Sequence, residues 1–168
     1  VASDWSSDVC SSDLRIAGAM VANVKAGRVV QGGSTITQQL AGMAMLDRTE
    51  KSYTRKIQEA AIAFSIEQNY SKDEIITMYL NRVFFGNNAY GIQAAAETFF
   101  NKDATDLTVT ESALLAGMIQ NPSKWSPTRN PENALKRRNI VLGEMVDTGA
   151  LTQSEADAYK AEPITLAE

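Results

Sequence analysis

Three capping boxes, each a hydroxyl residue followed three positions later by glutamate, constrain the fold of this chain more than any other feature. In such a box the hydroxyl accepts a hydrogen bond from the third backbone amide of a helix, and the glutamate reaches back to the amide of the cap. The boxes therefore predict three helix starts, well separated along the chain. They are Ser71-Lys-Asp-Glu74, Thr108-Val-Thr-Glu111 and Thr152-Gln-Ser-Glu155.

Other helical signals fill most of the remaining sequence. Residues 16–27, 34–46 and about 50–69 have apolar spacing typical of helices, and alternation of strand type is nearly absent. Asn130 followed by Pro131 predicts another helix start, and that helix should end near Gly149. Residues 121–131 hold three of the four prolines and predict a fixed loop. We expect an all-α globule of seven to nine helices, most simply one domain with a small satellite lobe.

Composition excludes several classes of chemistry. The chain has no histidine and one cysteine, which rules out a Ser-His-Asp triad, histidine metal sites and an intramolecular disulfide. Proton transfer would fall to Asp, Glu, Lys or Tyr. The formal charge of −4 argues against a nucleic-acid partner, because such proteins usually carry a basic surface. No apolar run is long enough to span a membrane, and no signal peptide is visible.

The first candidate site is QGGSTITQQL, where two glycines precede a helix start. Ser34 is expected to cap that helix, whose free amides would suit a phosphate or another anion. Gln38 and Gln39 would add amide donors. The alternative interpretation of the same residues is a turn followed by a capped, buried helix.

The second candidate site is the cluster of Arg55, Lys56 and Glu59, with Glu67 two helical turns further on. A carboxylate beside two cations is suited to acid–base work or to holding a phosphate complex. A solvated ion pair on a helix face is the alternative.

The third candidate site is the polar turn in YLNRVFFGNNAYGIQAAAETFF. It is expected to join one helix to the next, and it forms either a sugar site or a structural turn. Its candidate residues are Asn81, Gly86, Tyr90 and Gly91, with Asn87 and Asn88 between the glycines.

Four segments occur in one order: GGSTITQQL, RKIQE, KDEIITMYLNRVFFGNNAYGIQAAAETFF and LTVTESALLAGMIQNPSKWSP. Together they resemble the peptidoglycan glycosyltransferases of family 51, which are the transglycosylase domains of class A penicillin-binding proteins and the monofunctional transglycosylases. The resemblance extends from about Arg15 to the C-terminus. It implies an all-α, lysozyme-like fold with a small membrane-facing jaw lobe.

The resemblance also implies the activity. Family members polymerise lipid II into β-1,4 glycan strands at the outer face of the bacterial cytoplasmic membrane, with release of undecaprenyl pyrophosphate. The expected partners are lipid II, the growing glycan chain, the membrane surface and phosphoglycolipid inhibitors such as moenomycin, without nucleic acid. No cofactor is required, and a divalent cation, Mg²⁺ or Mn²⁺, near Glu59 is optional.

Residue roles follow from the motifs of the family. Glu59 matches its second glutamate, near the donor pyrophosphate, and Arg55 and Lys56 match the basic pair before it. The expected substrate-binding wall comprises Ser34, Thr35, Gln38 and Gln39. Gly42 and Met43 depart from the pattern, because the family commonly has a phosphate-binding Lys and an Asn there.

The larger departure is at the front of the chain. The family's general base is the Glu of an EDxxFxxHxG motif, roughly thirty residues before GGST. Here the first glutamate is Glu50, and the opening reads VASDWSSDVCSSDL, whose repeated Ser-Ser-Asp resembles translated sequencing adapter. We expect residues 1–14 to be non-native, residues 15–168 to be a transglycosylase domain incomplete at its N-terminus and without its membrane anchor, and this chain to be inactive. The alternatives are a lysozyme-like glycan hydrolase using Glu59 or Glu67, and a non-catalytic lipid II-binding module.

Overall fold

The computed structural model describes residues 35–45 and 53–167, and these residues are mostly helical. This mostly helical structure confirms the predicted all-α class. Within the described residues, β structure is limited to one short hairpin. The helix predicted over residues 16–27 lies outside them. The elements are α1 Ile36–Ala44, α2 Tyr53–Asn69, α3 Lys72–Leu80, β1 Phe84–Gly86, β2 Ala89–Tyr90, α4 Ile92–Phe100, a 3₁₀ turn Ala104–Asp106, α5 Val109–Met118, α6 Pro131–Asp147 and α7 Gln153–Ala161.

The described residues divide into two compact units, one ending at Ile76 and the other beginning at Thr77. In the first unit α1 packs on α2, and Leu40, Ala41 and Ala63 are buried. In the second unit α5 packs on α6 and α6 packs on α7. The largest apolar side chains that are fully buried there are Phe85, Phe99, Leu115, Met118 and Leu142.

All three capping boxes form as predicted. Thr108 and Thr152 each accept from the amide three residues on, and Glu111 and Glu155 accept from the amide of the cap. The Ser71 amide donates to the Glu74 carboxylate at 2.8 Å. Hydrogen bonds from Ser71 hold the pKa of Glu74 below its usual value of 4.5. Each box thus satisfies amides that would otherwise have no partner at the helix start.

Two other predicted caps differ in detail. Helix α1 is capped by Thr35, whose hydroxyl accepts from the Gln38 amide at 3.2 Å, so the expectation of a Ser34 cap is wrong. Asn130 stands at the cap of α6 with Pro131 at the first turn, but its side chain makes no cap hydrogen bond. It donates instead to the Ser123 carbonyl at 3.2 Å and so braces the preceding loop.

The segment around Gly86 and Gly91 is a β-hairpin rather than the plain helix-to-helix turn expected from the sequence. Strands β1 and β2 pair antiparallel, with Phe84 opposite Tyr90. The two turn residues, Asn87 and Asn88, have φ of 47° and 60°. Asparagine tolerates this left-handed region better than most residues, and two such residues in a row are typical of a tight hairpin turn. The strands are too short to show alternation in the sequence.

Arg138 ties α6 to the end of α7. Its side chain is 1% exposed, and its guanidinium donates to the carbonyls of Glu162 at 2.8 Å and Lys160 at 3.2 Å. It also contacts the Asn139 side-chain oxygen through two nitrogens. Burial lowers the pKa of Arg138, and the nearby Glu162 partly offsets this shift. The arginine therefore satisfies two carbonyls at the C-terminus of α7, where helices lack internal partners.

Candidate functional site

The clearest cluster of charged groups lies on α2 and consists of Arg55, Lys56 and Glu59, called the Glu59 cluster here. Arg55 Nε donates to Glu59 Oε1 at 3.2 Å, and Lys56 Nζ donates to Glu59 Oε2 at 2.7 Å. Residues three and four positions apart lie on one helix face, so the sequence spacing brings the three side chains together. Each carboxylate oxygen therefore faces one cation.

The three side chains of the Glu59 cluster differ in how far they are exposed to solvent. Glu59 is 9% exposed, whereas the Arg55 and Lys56 side chains are 22% and 47% exposed. Two cations and one carboxylate leave one net positive charge, and Lys56 is the most exposed side chain of the three. A carboxylate shielded in this way holds cations in place, and the cations present positive charge to an anionic ligand.

Helix α1 approaches Glu59 at Gly42. A Cβ built at Gly42 would lie 3.3 Å from Glu59 Oε1, so the absence of a side chain at this position lets the two helices meet beside the carboxylate. The sequence singles out Gly42 as a departure from the family pattern, but its contact with Glu59 is visible only in the structure. Met43 is half-buried on the same helix.

The remaining wall residues expected from the sequence belong to the start of α1. Thr35 serves as the cap, Gln38 is half-buried and Gln39 is exposed. Ser34 lies outside the described residues. The first-turn amides of α1 and the Glu59 cluster belong to the same unit of the chain. The substrate-binding roles of these residues stay predictions.

The third set of candidates, Asn81, Gly86, Tyr90 and Gly91, lies in the second unit. Gly91 has φ of 87°, and a Cβ there would stand 2.7 Å from the Asn81 carbonyl oxygen. That close approach of two backbone segments is a structural reason for glycine. Tyr90 is 64% exposed and its ring lies 4.7 Å from that of Phe84. Whether these residues form a sugar site or only a turn stays open.

The donor set around Glu59 does not fit a resident divalent cation. Such ions take several oxygen ligands, and within residues 35–45 and 53–167 no group of three acidic, histidine or cysteine side chains converges. Both oxygens of Glu59 already face cationic nitrogens. Glu67, the other carboxylate considered on α2, is exposed and makes no ion pair with the Glu59 cluster.

The helices that the structure describes are too short or too polar to cross a bilayer, since none of them combines the necessary length with the necessary apolar character.

Comparison with known proteins gives one consistent result. A family model described as Transglycosylase matches residues 10–146. Penicillin-binding protein 1A/1B of Bacillus subtilis is 49% identical over 88% of this chain and 16% of its own length. Penicillin-binding protein 1A of Aquifex aeolicus is 44% identical over 91% of this chain and 21% of its own length. This chain thus spans about a fifth of these relatives.

A solved structure agrees with these matches. The 2.6 Å crystal structure of penicillin-binding protein 1A from Haemophilus influenzae aligns with a TM-score of 0.55 and 30% identity, over 80% of this chain and 17% of that one. The family match begins at residue 10, whereas the sequence analysis predicts a non-native segment through residue 14. The boundary after residue 14 and the jaw lobe stay predictions.

Proposed function

This chain belongs to the transglycosylase family, and we propose that it derives from an enzyme that polymerises lipid II into β-1,4-linked glycan strands. In the proposed reaction the 4-hydroxyl of an acceptor lipid II attacks the anomeric carbon of the growing chain. The carbon–oxygen bond to the lipid pyrophosphate breaks, undecaprenyl pyrophosphate leaves, and the configuration inverts. The proposed location is the outer face of the bacterial cytoplasmic membrane.

The Glu59 cluster is the observation that carries this proposal. A departing pyrophosphate gains negative charge in the transition state, and fixed cations stabilise it there. Glu59 accepts from both Arg55 and Lys56, so their positive groups are held before substrate arrives. Lys56, with 47% of its side chain exposed, is the group best placed to reach a phosphate. We assign Glu59 a positioning role and Lys56 and Arg55 the binding role.

The proton of the acceptor hydroxyl needs a base, and this chain has no evident candidate. Histidine is absent, and the EDxxFxxHxG motif that supplies the family's general base does not occur in these 168 residues. We therefore propose that these residues by themselves bind the donor but polymerise lipid II little or not at all.

Binding of undecaprenyl pyrophosphate in detergent tests the site. Lys56→Gln should weaken binding about tenfold, the value of one lost charge-assisted hydrogen bond. Lys136→Gln is the matched control, because Lys136 is an exposed lysine on α6 and the charge change is identical. Equal affinities of the two variants would contradict the assignment of the Glu59 cluster to the pyrophosphate.

A lipid II polymerisation assay tests the catalytic part of the proposal. This chain should give no polymer, and robust polymerisation would contradict its proposed inactivity. Placing an EDxxFxxHxG segment ahead of residue 15 should restore polymerisation in an enzyme but not in a non-catalytic lipid II-binding module. Release of muropeptides from purified sacculi would instead indicate a glycan hydrolase.

A further inference from the structure

A cavity of about 220 Å³ lies in the second unit, apart from every residue assigned above to the pyrophosphate. It opens between the turn of the β-hairpin and the loop of residues 121–130. This volume is below the range of about 300–1,000 Å³ found for drug-sized ligands, so the cavity can enclose only a small group or the end of a longer chain. The lining residues are Phe84, Gly86, Asn87, Asn88, Pro122, Ser123, Ser126 and Arg129.

The two walls of the cavity meet through a close contact. A Cβ on Gly86 would lie 3.3 Å from the Cβ of Pro122, so the hairpin and the loop pack directly on each other. Gly86 also has φ of 91°, which a side chain would strain. The hairpin glycine thus brings the two asparagines of the turn beside the loop.

The loop wall is braced before any ligand binds. The Lys124 amide donates to the Asn121 side chain at 3.1 Å, and the Asn130 amide donates to the Ser126 carbonyl at 2.8 Å. The hydroxyl of Ser126, a residue only 3% exposed, shares a hydrogen bond with that of Thr128 at 2.9 Å. A wall fixed by such bonds loses little freedom on binding, which favours recognition of a small group.

The polar groups of the lining select the ligand. Arg129 is the single charged side chain among the lining residues, and no carboxylate accompanies it. Within the described part of the chain, the side chains of Arg129, Asn87 and Asn88 are exposed and make no hydrogen bond or ion pair. A guanidinium matches a carboxylate, and amides hydrogen-bond peptide groups. A carboxylate next to a peptide group is the C-terminal end of a polypeptide.

The surroundings of the cavity are positive in a chain that is negative overall. Residues 121–138 hold five lysines and arginines and one glutamate, whereas the formal charge of the whole chain is −4. Arg138 is buried against carbonyls, but Lys124 and Lys136 are exposed, as Arg129 is. A local excess of positive charge attracts an anionic chain end to this face.

An exposed aromatic pair continues the cavity onto the surface of the hairpin. Phe84 lines the cavity, and its ring lies 4.7 Å from that of Tyr90. The two residues are 38% and 64% exposed. Aromatic side chains are enriched where proteins bind one another. A polypeptide whose end lies in the cavity can therefore place an apolar side chain on this pair.

We propose that the cavity binds the C-terminal tail of a partner protein. Arg129 contacts the terminal carboxylate, and Asn87 and Asn88 contact the last peptide groups. Phe84 and Tyr90 support an apolar side chain that precedes the end. This inference does not rest on the proposed function, because no residue of the Glu59 cluster takes part.

Titration of the ¹⁵N-labelled chain with acetyl-Leu-Ala-Ala and with its C-terminal amide tests the proposal, because the two peptides differ only in the terminal charge. The acid should bind about tenfold more tightly and shift the amide resonances of residues 86–88 and 123–129. Equal affinity for acid and amide, or for acetate and the acid peptide, would overturn the proposal. Tighter binding of the all-D peptide would also overturn it, since protein tails consist of L-residues.

Two variants locate the carboxylate. Arg129→Gln should weaken the acid peptide about tenfold, bring it level with the amide and leave undecaprenyl pyrophosphate binding unchanged. Arg82→Gln, an exposed arginine that does not line the cavity, is the charge control and should leave both peptides unchanged. An unchanged affinity for the acid peptide in Arg129→Gln would overturn the cavity proposal and leave the role of Lys56 standing.

A third variant tests the aromatic pair. Tyr90→Ala should weaken acetyl-Leu-Ala-Ala about threefold and leave acetyl-Gly-Ala-Ala unchanged, because the second peptide has no side chain to place on the ring. Tyr90 is 64% exposed, and circular dichroism checks that the variant stays folded. An equal loss of affinity for both peptides would overturn the role of the pair.

Discussion

Substitution of Gly91 by alanine should be among the most damaging single changes in this chain. The backbone there has φ of 87° and ψ of 157°, a region that is essentially restricted to glycine. An added Cβ would stand 2.7 Å from the Asn81 carbonyl oxygen and 3.1 Å from its carbon. Both obstacles are backbone atoms, so no side-chain rotation relieves the clash.

The magnitude follows from two costs. A side chain held in a disfavoured backbone region costs about 1–3 kcal/mol, and overpacking costs a further 1–3 kcal/mol. We therefore expect Gly91→Ala to lower the free energy of unfolding by about 4 kcal/mol. Gly149→Ala separates the two costs, because Gly149 has φ of 75° but a Cβ there meets nothing within 4 Å. That variant should lose about 1–2 kcal/mol.

Urea unfolding followed by far-UV circular dichroism gives both values on the same chain. A loss in Gly91→Ala within about 1 kcal/mol of that in Gly149→Ala would refute the clash with Asn81.

Three further changes test other parts of the structure. Arg138→Met should lower the free energy of unfolding by about 3–4 kcal/mol in urea titrations, since it removes a buried side chain that donates to two carbonyls at the end of α7, whereas Lys136→Met should be near neutral. Burial raises the pKa of Glu111, but hydrogen bonds from Lys102 and from the cap residue Thr108 lower it by more. The net result is a pKa below the usual value of 4.5. A depressed folded-state pKa stabilises the protein above the unfolded value, and this stabilisation is lost as pH falls through the folded value. Glu111→Gln should therefore make the free energy of unfolding fall less steeply as the pH is lowered below 4.5. An unchanged dependence of this free energy on pH in the acid range would contradict the prediction. Thr35→Ala should cost about 1 kcal/mol and Thr35→Ser much less, because serine keeps the oxygen that accepts from the first turn of α1.

The parts of the fold that the sequence predicts correctly depend on local rules. A capping box needs only residues three positions apart, so the spacing of the letters is enough to identify all three boxes. The Glu59 cluster has the same origin, because Arg55 and Lys56 lie four and three positions before the glutamate. Resemblance to a family supplies the proposed role of this cluster, which spacing alone does not give.

The features missed by the sequence depend on contacts between distant segments. The hairpin escapes detection because strands of three and two residues show no alternation. Arg138 resembles any arginine on an amphipathic helix, yet it is buried and donates to carbonyls at the end of the next helix. Arg129 and Ser126 become part of a cavity only when Gly86 packs against Pro122.

The packing of α5 on α6 and of α6 on α7 also bears on how the chain folds. These helices follow one another along residues 109–161, so each docks on its immediate neighbour in the sequence. Closing short loops costs little entropy, and folds rich in local contacts acquire structure quickly. The caps of α5 and α7 and the clamp at Arg138 lie within the same region. We therefore expect the C-terminal helices to acquire structure early in folding, because each packs on its neighbour along the chain.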